Sequence, residues 1–160
     1  RWKENGENKR WMGSPAEFNK AVPKNAQDLS VTDSSSRMEV FVTSGEPTET
    51  VLKTTGKGLE LQAVTHPNDL FAEETATFVL LLDGQPASGV DVSVIPGGNR
   101  YRDDTGEIKT KSNDKGEISI TWPTAGMYWL EAETTSKENV TAPATQRRAT
   151  YSATLEVLPQ

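Results

Sequence analysis

A run of twenty residues, Asn113 to Ala132, constrains this chain more than any other. Asn113-Asp114-Lys115-Gly116 supplies turn chemistry: Asn and Asp bond their own backbone, and Gly takes the positive φ that closes a hairpin. Ile118, Ile120 and Trp122 alternate with Glu117, Ser119 and Thr121, the period of a strand with one apolar face. Pro123 cannot donate to a ladder and ends that strand. Beyond Gly126 a second alternating run begins, with Tyr128 and Leu130 on one face and Met127 and Trp129 on the other. The order is turn, strand, corner, strand.

A Tyr two residues after a Gly at a strand's start matches the tyrosine corner of immunoglobulin-like sandwiches, whose hydroxyl ties down the preceding crossover. The chain from residue 58 supplies further strands. Leu59 to Val64 alternates, and Thr75 to Leu82 is apolar on both faces, as expected of a central strand. Asp83-Gly84-Gln85-Pro86 turns the chain, Val90, Val92 and Val94 alternate, and Pro96-Gly97-Gly98-Asn99 turns it again. Tyr101 to Lys111 reads as a weaker, charged edge strand, where Lys and Glu discourage edge-to-edge pairing. Arg148 to Leu158 closes the set, with Tyr151, Ala153, Leu155 and Val157 in phase. About seven strands without a helix predict an all-β, immunoglobulin-like sandwich with Greek-key connections.

Residues 1–57 read differently. Asn5-Gly6 between Trp2 and Trp11 predicts a hairpin over 1–12. Ser14-Pro15-Ala16-Glu17 is a capping box with Pro at the first helical position, so a helix of about two turns follows over 14–22, too short to stand alone. Residues 28–36 are polar and Ser-rich, as in a linker. Residues 37–43 form a strand, and 44–57 a second flexible connection. The expected division is an N-terminal segment, 1–57, that belongs to or docks on a preceding domain, and a sandwich, 58–160. The opening Arg1-Trp2-Lys3 suggests the start of a mature piece or fragment.

Bulk properties narrow the function. A net charge of −6 argues against non-specific nucleic-acid binding, which needs a basic footprint. No apolar run approaches the roughly 20 residues that cross a bilayer, so no membrane insertion is expected. The chain has no cysteine, which removes disulfides and thiolate metal sites and leaves the compartment open.

Several phrases, in order, resemble a family: Leu59-Glu60-Leu61 with Thr65-His66-Pro67-Asn68-Asp69-Leu70, then Leu82-Asp83-Gly84-Gln85-Pro86-Ala87-Ser88-Gly89-Val90, then Pro96-Gly97-Gly98-Asn99-Arg100-Tyr101-Arg102, and Trp122-Pro123 with Gly126-Met127-Tyr128-Trp129-Leu130-Glu131-Ala132. The chain resembles a domain-of-unknown-function family of secreted bacterial proteins grouped with the periplasmic component of cobalt and nickel ABC-type uptake systems. That resemblance implies a periplasmic or otherwise secreted protein of β-sandwich domains that handles transition metals. It also implies a preceding, histidine-containing N-terminal domain and a membrane transporter component as partners. The turn, strand, Pro, Gly, Tyr order is similar to prealbumin-like and carboxypeptidase-regulatory-like modules, which are usually non-catalytic.

Three chemistries compete. His66, the single histidine, with Asp69 nearby, is the candidate ligand pair for a nickel or cobalt ion, since imidazole and carboxylate suit such metals. The alternative is a strand-ending loop in which Asn68 and Asp69 cap the turn. Trp129, facing away from Tyr128 and Leu130, is the candidate platform for a carbohydrate or peptide, whereas Trp122, in phase with Ile118 and Ile120, belongs to the core. No nucleophile elbow is present, and one histidine without cysteine leaves few nucleophile–base pairs, so no enzyme is expected. The acidic turns 103–107 and 113–117 lack the ligand spacing of a calcium loop. The expected function is a non-enzymatic binding or scaffold module of a nickel- or cobalt-handling protein. Metal binding at His66, or carbohydrate or peptide binding at Trp129, are the alternatives.

Overall fold

The computed structural model describes residues 1–160, the side chain of Tyr101 excepted. In chain order the elements are β1 (Trp2–Glu4), β2 (Glu7–Lys9), a 3₁₀ turn (Pro15–Glu17) running into α1 (Phe18–Ala21), β3 (Thr32–Val40), β4 (Leu59–Ala63), β5 (Thr75–Leu82), β6 (Gln85–Pro86), β7 (Asp91–Pro96), β8 (Ile108–Lys111), β9 (Glu117–Thr121), β10 (Gly126–Ser136) and β11 (Gln146–Val157). Two main sheets form, one ordered β3-β11-β10-β7-β8, the other built on β5, which pairs with β4, β6 and β9. The result is the expected all-β sandwich.

The chain divides into two compact units, residues 1–34 with 135–148, and residues 35–134 with 149–160. The expected boundary at 57/58 thus falls inside the second unit. The reason lies in residues 32–40, where a strand longer than the expected 37–43 takes in part of the presumed linker and forms one edge of the five-stranded sheet.

In the first unit Asn5 and Gly6 both adopt positive φ, and β1 pairs with β2 in the register Trp2↔Lys9 and Glu4↔Glu7. This is the two-residue hairpin that Asn-Gly favours. The Glu17 carboxylate reaches back to the Ser14 N–H at 3.4 Å and its hydroxyl at 3.1 Å. Trp11 and Phe18 meet edge to face with ring centroids 6.0 Å apart. Lys3 and Gln27 exchange backbone hydrogen bonds, and the Thr145 amide donates to the Val31 carbonyl at 2.8 Å.

The core of the second unit is one apolar cluster from both sheets: Leu59, Leu61, Phe78, Leu80, Ile118, Ile120 and Trp122 from one side, Val92, Val94, Tyr128, Leu130, Tyr151 and Leu155 from the other. Ile118 sits opposite Phe78 and Ile120 opposite Ala76, placing the apolar face of β9 inward. In β5, Phe78 and Leu80 are fully buried, while Val79 on the other face is half-buried. The charged edge strand is shorter than expected, 108–111, and lies at the end of its sheet.

The Asn113 side-chain oxygen accepts the amides of Lys115 and Glu117 at 2.9 and 3.0 Å, closing the predicted turn. Gly116 has φ +75°, and its carbonyl accepts the Leu80 amide at 2.8 Å. A Cβ at this glycine would run into the carbonyl of Leu80, so both conformation and space demand glycine here. The Tyr128 hydroxyl donates to the Thr124 carbonyl at 2.8 Å across the Pro123–Ala125 corner, and its ring meets Trp122 edge to face at 5.1 Å. The corner read in the sequence is present.

Candidate functional site

His66 and Asp69 sit in the turn after β4 and line one hollow with Glu49, Thr50 and Lys53. The Asp69 amide donates to the His66 carbonyl at 2.9 Å, and Asn68 bonds through its side-chain amide to the Thr43 hydroxyl. The Asn68 backbone N–H donates to His66 Nδ1 at 3.1 Å, which makes Nδ1 the acceptor and leaves the proton on Nε2, 3.3 Å from the Thr48 carbonyl. Both ring nitrogens are therefore engaged by backbone. A metal at Nδ1 would displace the Asn68 amide, and one at Nε2 would force the other tautomer. Among the described residues no three His, Cys, Asp or Glu side chains gather as a ligand set. The pair falls short of the four protein ligands of a closed site, or the three of an open one. These residues do not fit a nickel or cobalt centre.

Trp129 lies on the outer face of β10, 40 % exposed, with Met127 beside it on the same face and Ile95 directly opposite on β7. Two residues further on, Glu131 stands opposite Ser93, itself opposite Lys109 on β8. Asp91, Ser93, Lys109, Glu131 and Glu133 line a shallow hollow of about 370 Å³ on this face. The Ser93 hydroxyl donates to Glu107 at 2.5 Å, and this bond, with Lys109 alongside, holds the Glu107 carboxyl below its ordinary range. Trp129 is not among the residues lining that hollow; an exposed indole on a sheet face can stack on a sugar ring or a peptide side chain. Alternation alone located this side chain. Trp122, the other aromatic considered, is buried in the core as expected.

A charge network around one buried carboxylate was not singled out by sequence. Glu60 is in phase with the polar positions of β4, yet it is only 1 % exposed. Its carboxylate accepts the Thr55 amide at 2.7 Å, the Thr55 hydroxyl at 2.9 Å, the Gly56 amide at 2.7 Å and the Lys57 amide at 3.3 Å. Arg37 on β3 pairs with it at 2.9 Å and with Glu39 at 3.3 Å. Glu39 in turn accepts the Tyr151 hydroxyl at 2.6 Å. Burial alone would push the Glu60 carboxyl up, but the Thr55 and Gly56 donors and the Arg37 charge outweigh it and hold the group below its ordinary value. Burial, with Glu39 beside it, pushes the Tyr151 phenol up. The signal available in sequence was the Arg37–Glu39 pair two apart on an otherwise apolar-alternating strand.

No curated protein matches the chain. Residues 1–136 match the family described as Domain of unknown function (DUF4198), and the chain belongs to that family.

Proposed function

We propose that this chain is a non-enzymatic binding or scaffold module of a secreted or periplasmic protein that handles nickel or cobalt. The observation that carries the reading is the saturation of the Glu60–Arg37–Glu39–Tyr151 network. Arg37 is shared between Glu60 and Glu39, and Glu39 accepts the Tyr151 hydroxyl, so these groups are engaged with one another across two sheets, which supports a structural role for them. The metal association rests on the resemblance of those phrases to a family grouped with cobalt and nickel uptake systems. With His66 engaged by backbone on both nitrogens, the module supports a metal site carried by a preceding domain, and a membrane transporter component is the partner it serves. Calorimetric titration with Ni²⁺ and Co²⁺, beside a His66→Ala variant, tests this. The expected result is no heat attributable to His66. Micromolar binding that disappears in the variant would make this chain the metal-binding domain instead.

The exposure of Trp129 favours a second role for the module, as a carbohydrate or peptide binder through the outer face of β10 and β7. Trp129 fluorescence quenched by an oligosaccharide panel or by peptides, and unquenched in Trp129→Ala, would support it. A panel without any Trp129-dependent change would remove it.

A further inference from the structure

The first unit, residues 1–34 with 135–148, holds a groove of about 420 Å³ walled by Trp2, Trp11, Phe18, Val22, Leu29 and Pro143. Trp11 and Phe18 meet edge to face and are only half-buried, so both rings keep part of their surface in the groove. Gly13 lies so close to the Trp11 ring that a Cβ there would run into it, and the backbone thereby fixes the indole. The charged side chains lining the groove, Arg1 and Asp33, are opposite in sign, so the pair does not select for an ion of either sign. Trp2 adds one polar requirement. It is 9 % exposed, and its indole N–H is buried without an acceptor. Buried donors are normally bonded, because a donor left alone loses its hydration with nothing in exchange. The Trp122 N–H is unpaired as well, but that ring is sealed in the core of the second unit, whereas Trp2 forms part of the groove wall.

We infer that this groove binds a proline-rich peptide segment in the polyproline II conformation, with one of its carbonyls accepting the Trp2 indole N–H. Three properties of such a segment match the wall. Proline has no backbone N–H, so it strands no donor against aromatic rings. The polyproline II backbone makes no internal hydrogen bonds, which leaves its carbonyls free to accept. Its conformation is set before binding, so little chain entropy is lost on docking, which is why aromatic-lined grooves suit proline-rich segments. The Trp2 N–H has no exposed surface of its own, so docking shifts the indole, and its nitrogen resonance reports that directly.

The test titrates the intact chain, labelled with nitrogen-15, with decaproline, and with a Gly-Ser peptide of the same length as control. The chain has 4 tryptophans, hence one indole N–H signal for each. Saturable shifts of the Trp2 and Trp11 signals are expected by about 2 mM decaproline, the weak end of specific affinities, while Trp122 and Trp129 stay in place. Trp129 marks the second role proposed above, so the two readings are separable. Trp2→Phe keeps a ring but removes the donor, and should weaken decaproline at least about threefold. Trp11→Ala removes an aromatic wall and should weaken it at least about tenfold. Trp11 is half-buried, so its variant stays informative if Trp2→Phe disturbs the unit. The absence of any saturable shift overturns the inference. So do equal shifts with the Gly-Ser peptide, movement of the Trp129 signal alone, or undiminished affinity in Trp11→Ala.

Discussion

Removing the Glu60 carboxylate is the sharpest perturbation the structure offers. In Glu60→Ala, three backbone amides (Thr55, Gly56, Lys57) and the Thr55 hydroxyl lose their acceptor together, and Arg37 loses its shortest ion pair. Breaking a buried pair from one side costs about 3–5 kcal/mol, because the remaining charge is left desolvated. Arg37 is 30 % exposed and keeps Glu39, which places the expected loss near the lower end, about 3 kcal/mol. Urea unfolding followed by tryptophan fluorescence and circular dichroism would read this as a lower midpoint at unchanged slope. The same reasoning predicts asymmetry. Replacing both partners with apolar residues, Arg37→Met with Glu60→Leu, should recover only part of the loss, since Arg37 is no longer left without Glu60 while Glu39 loses its cation and the 55–57 amides their acceptor. The pH dependence has a defined sign. The folded-state carboxyl lies below its ordinary 4.5, so the unfolded chain binds the proton more readily. The stabilisation is therefore complete above about 4.5 and is lost as pH falls through the folded value. Glu60→Gln should flatten that acid limb. A loss under about 1 kcal/mol in Glu60→Ala, the range of an exposed pair, would refute the reading.

Other consequences follow from the same structure. Gly116→Ala combines a positive φ with a collision at the Leu80 carbonyl, and should destabilise by at least about 2 kcal/mol in the same urea assay. Tyr128→Phe keeps the ring against Trp122 but orphans the Thr124 carbonyl, an expected loss of about 1 kcal/mol by thermal melting, and less than about 0.3 would remove the corner's role. Trp129→Ala, on an outer sheet face, should move the urea midpoint by less than about 0.5 kcal/mol equivalent, and a larger loss would place that indole in the packing instead of on a binding face.

The parts of this protein legible in its sequence are those whose physics acts over a few residues. Asn5-Gly6, Asp83-Gly84 and Asn113 to Gly116 impose their turns through φ preference and side-chain bonds to the nearest amides. Alternation sends Ile118, Ile120 and Trp122 inward and Trp129 outward because a strand has only two faces. The tyrosine corner closes between two residues four apart in the chain.

Tertiary structure decided what depends on residues far apart in the chain. Alternation puts Glu60 with the solvent-facing positions. The structure buries it, because residues 55–57 fold over β4 and Arg37 arrives from the other sheet. His66 and Asp69 read as a ligand pair by residue type, but the lone pair a metal would need is taken by the Asn68 amide, a matter of where one N–H points. The division of the chain also moved, since residues 32–40 became a sheet edge only when β11, more than a hundred residues later, lay beside them. Short-range propensity states what a segment prefers. Its neighbours in space decide which groups lose water, and with that whether a carboxylate is surface, ligand or clamp.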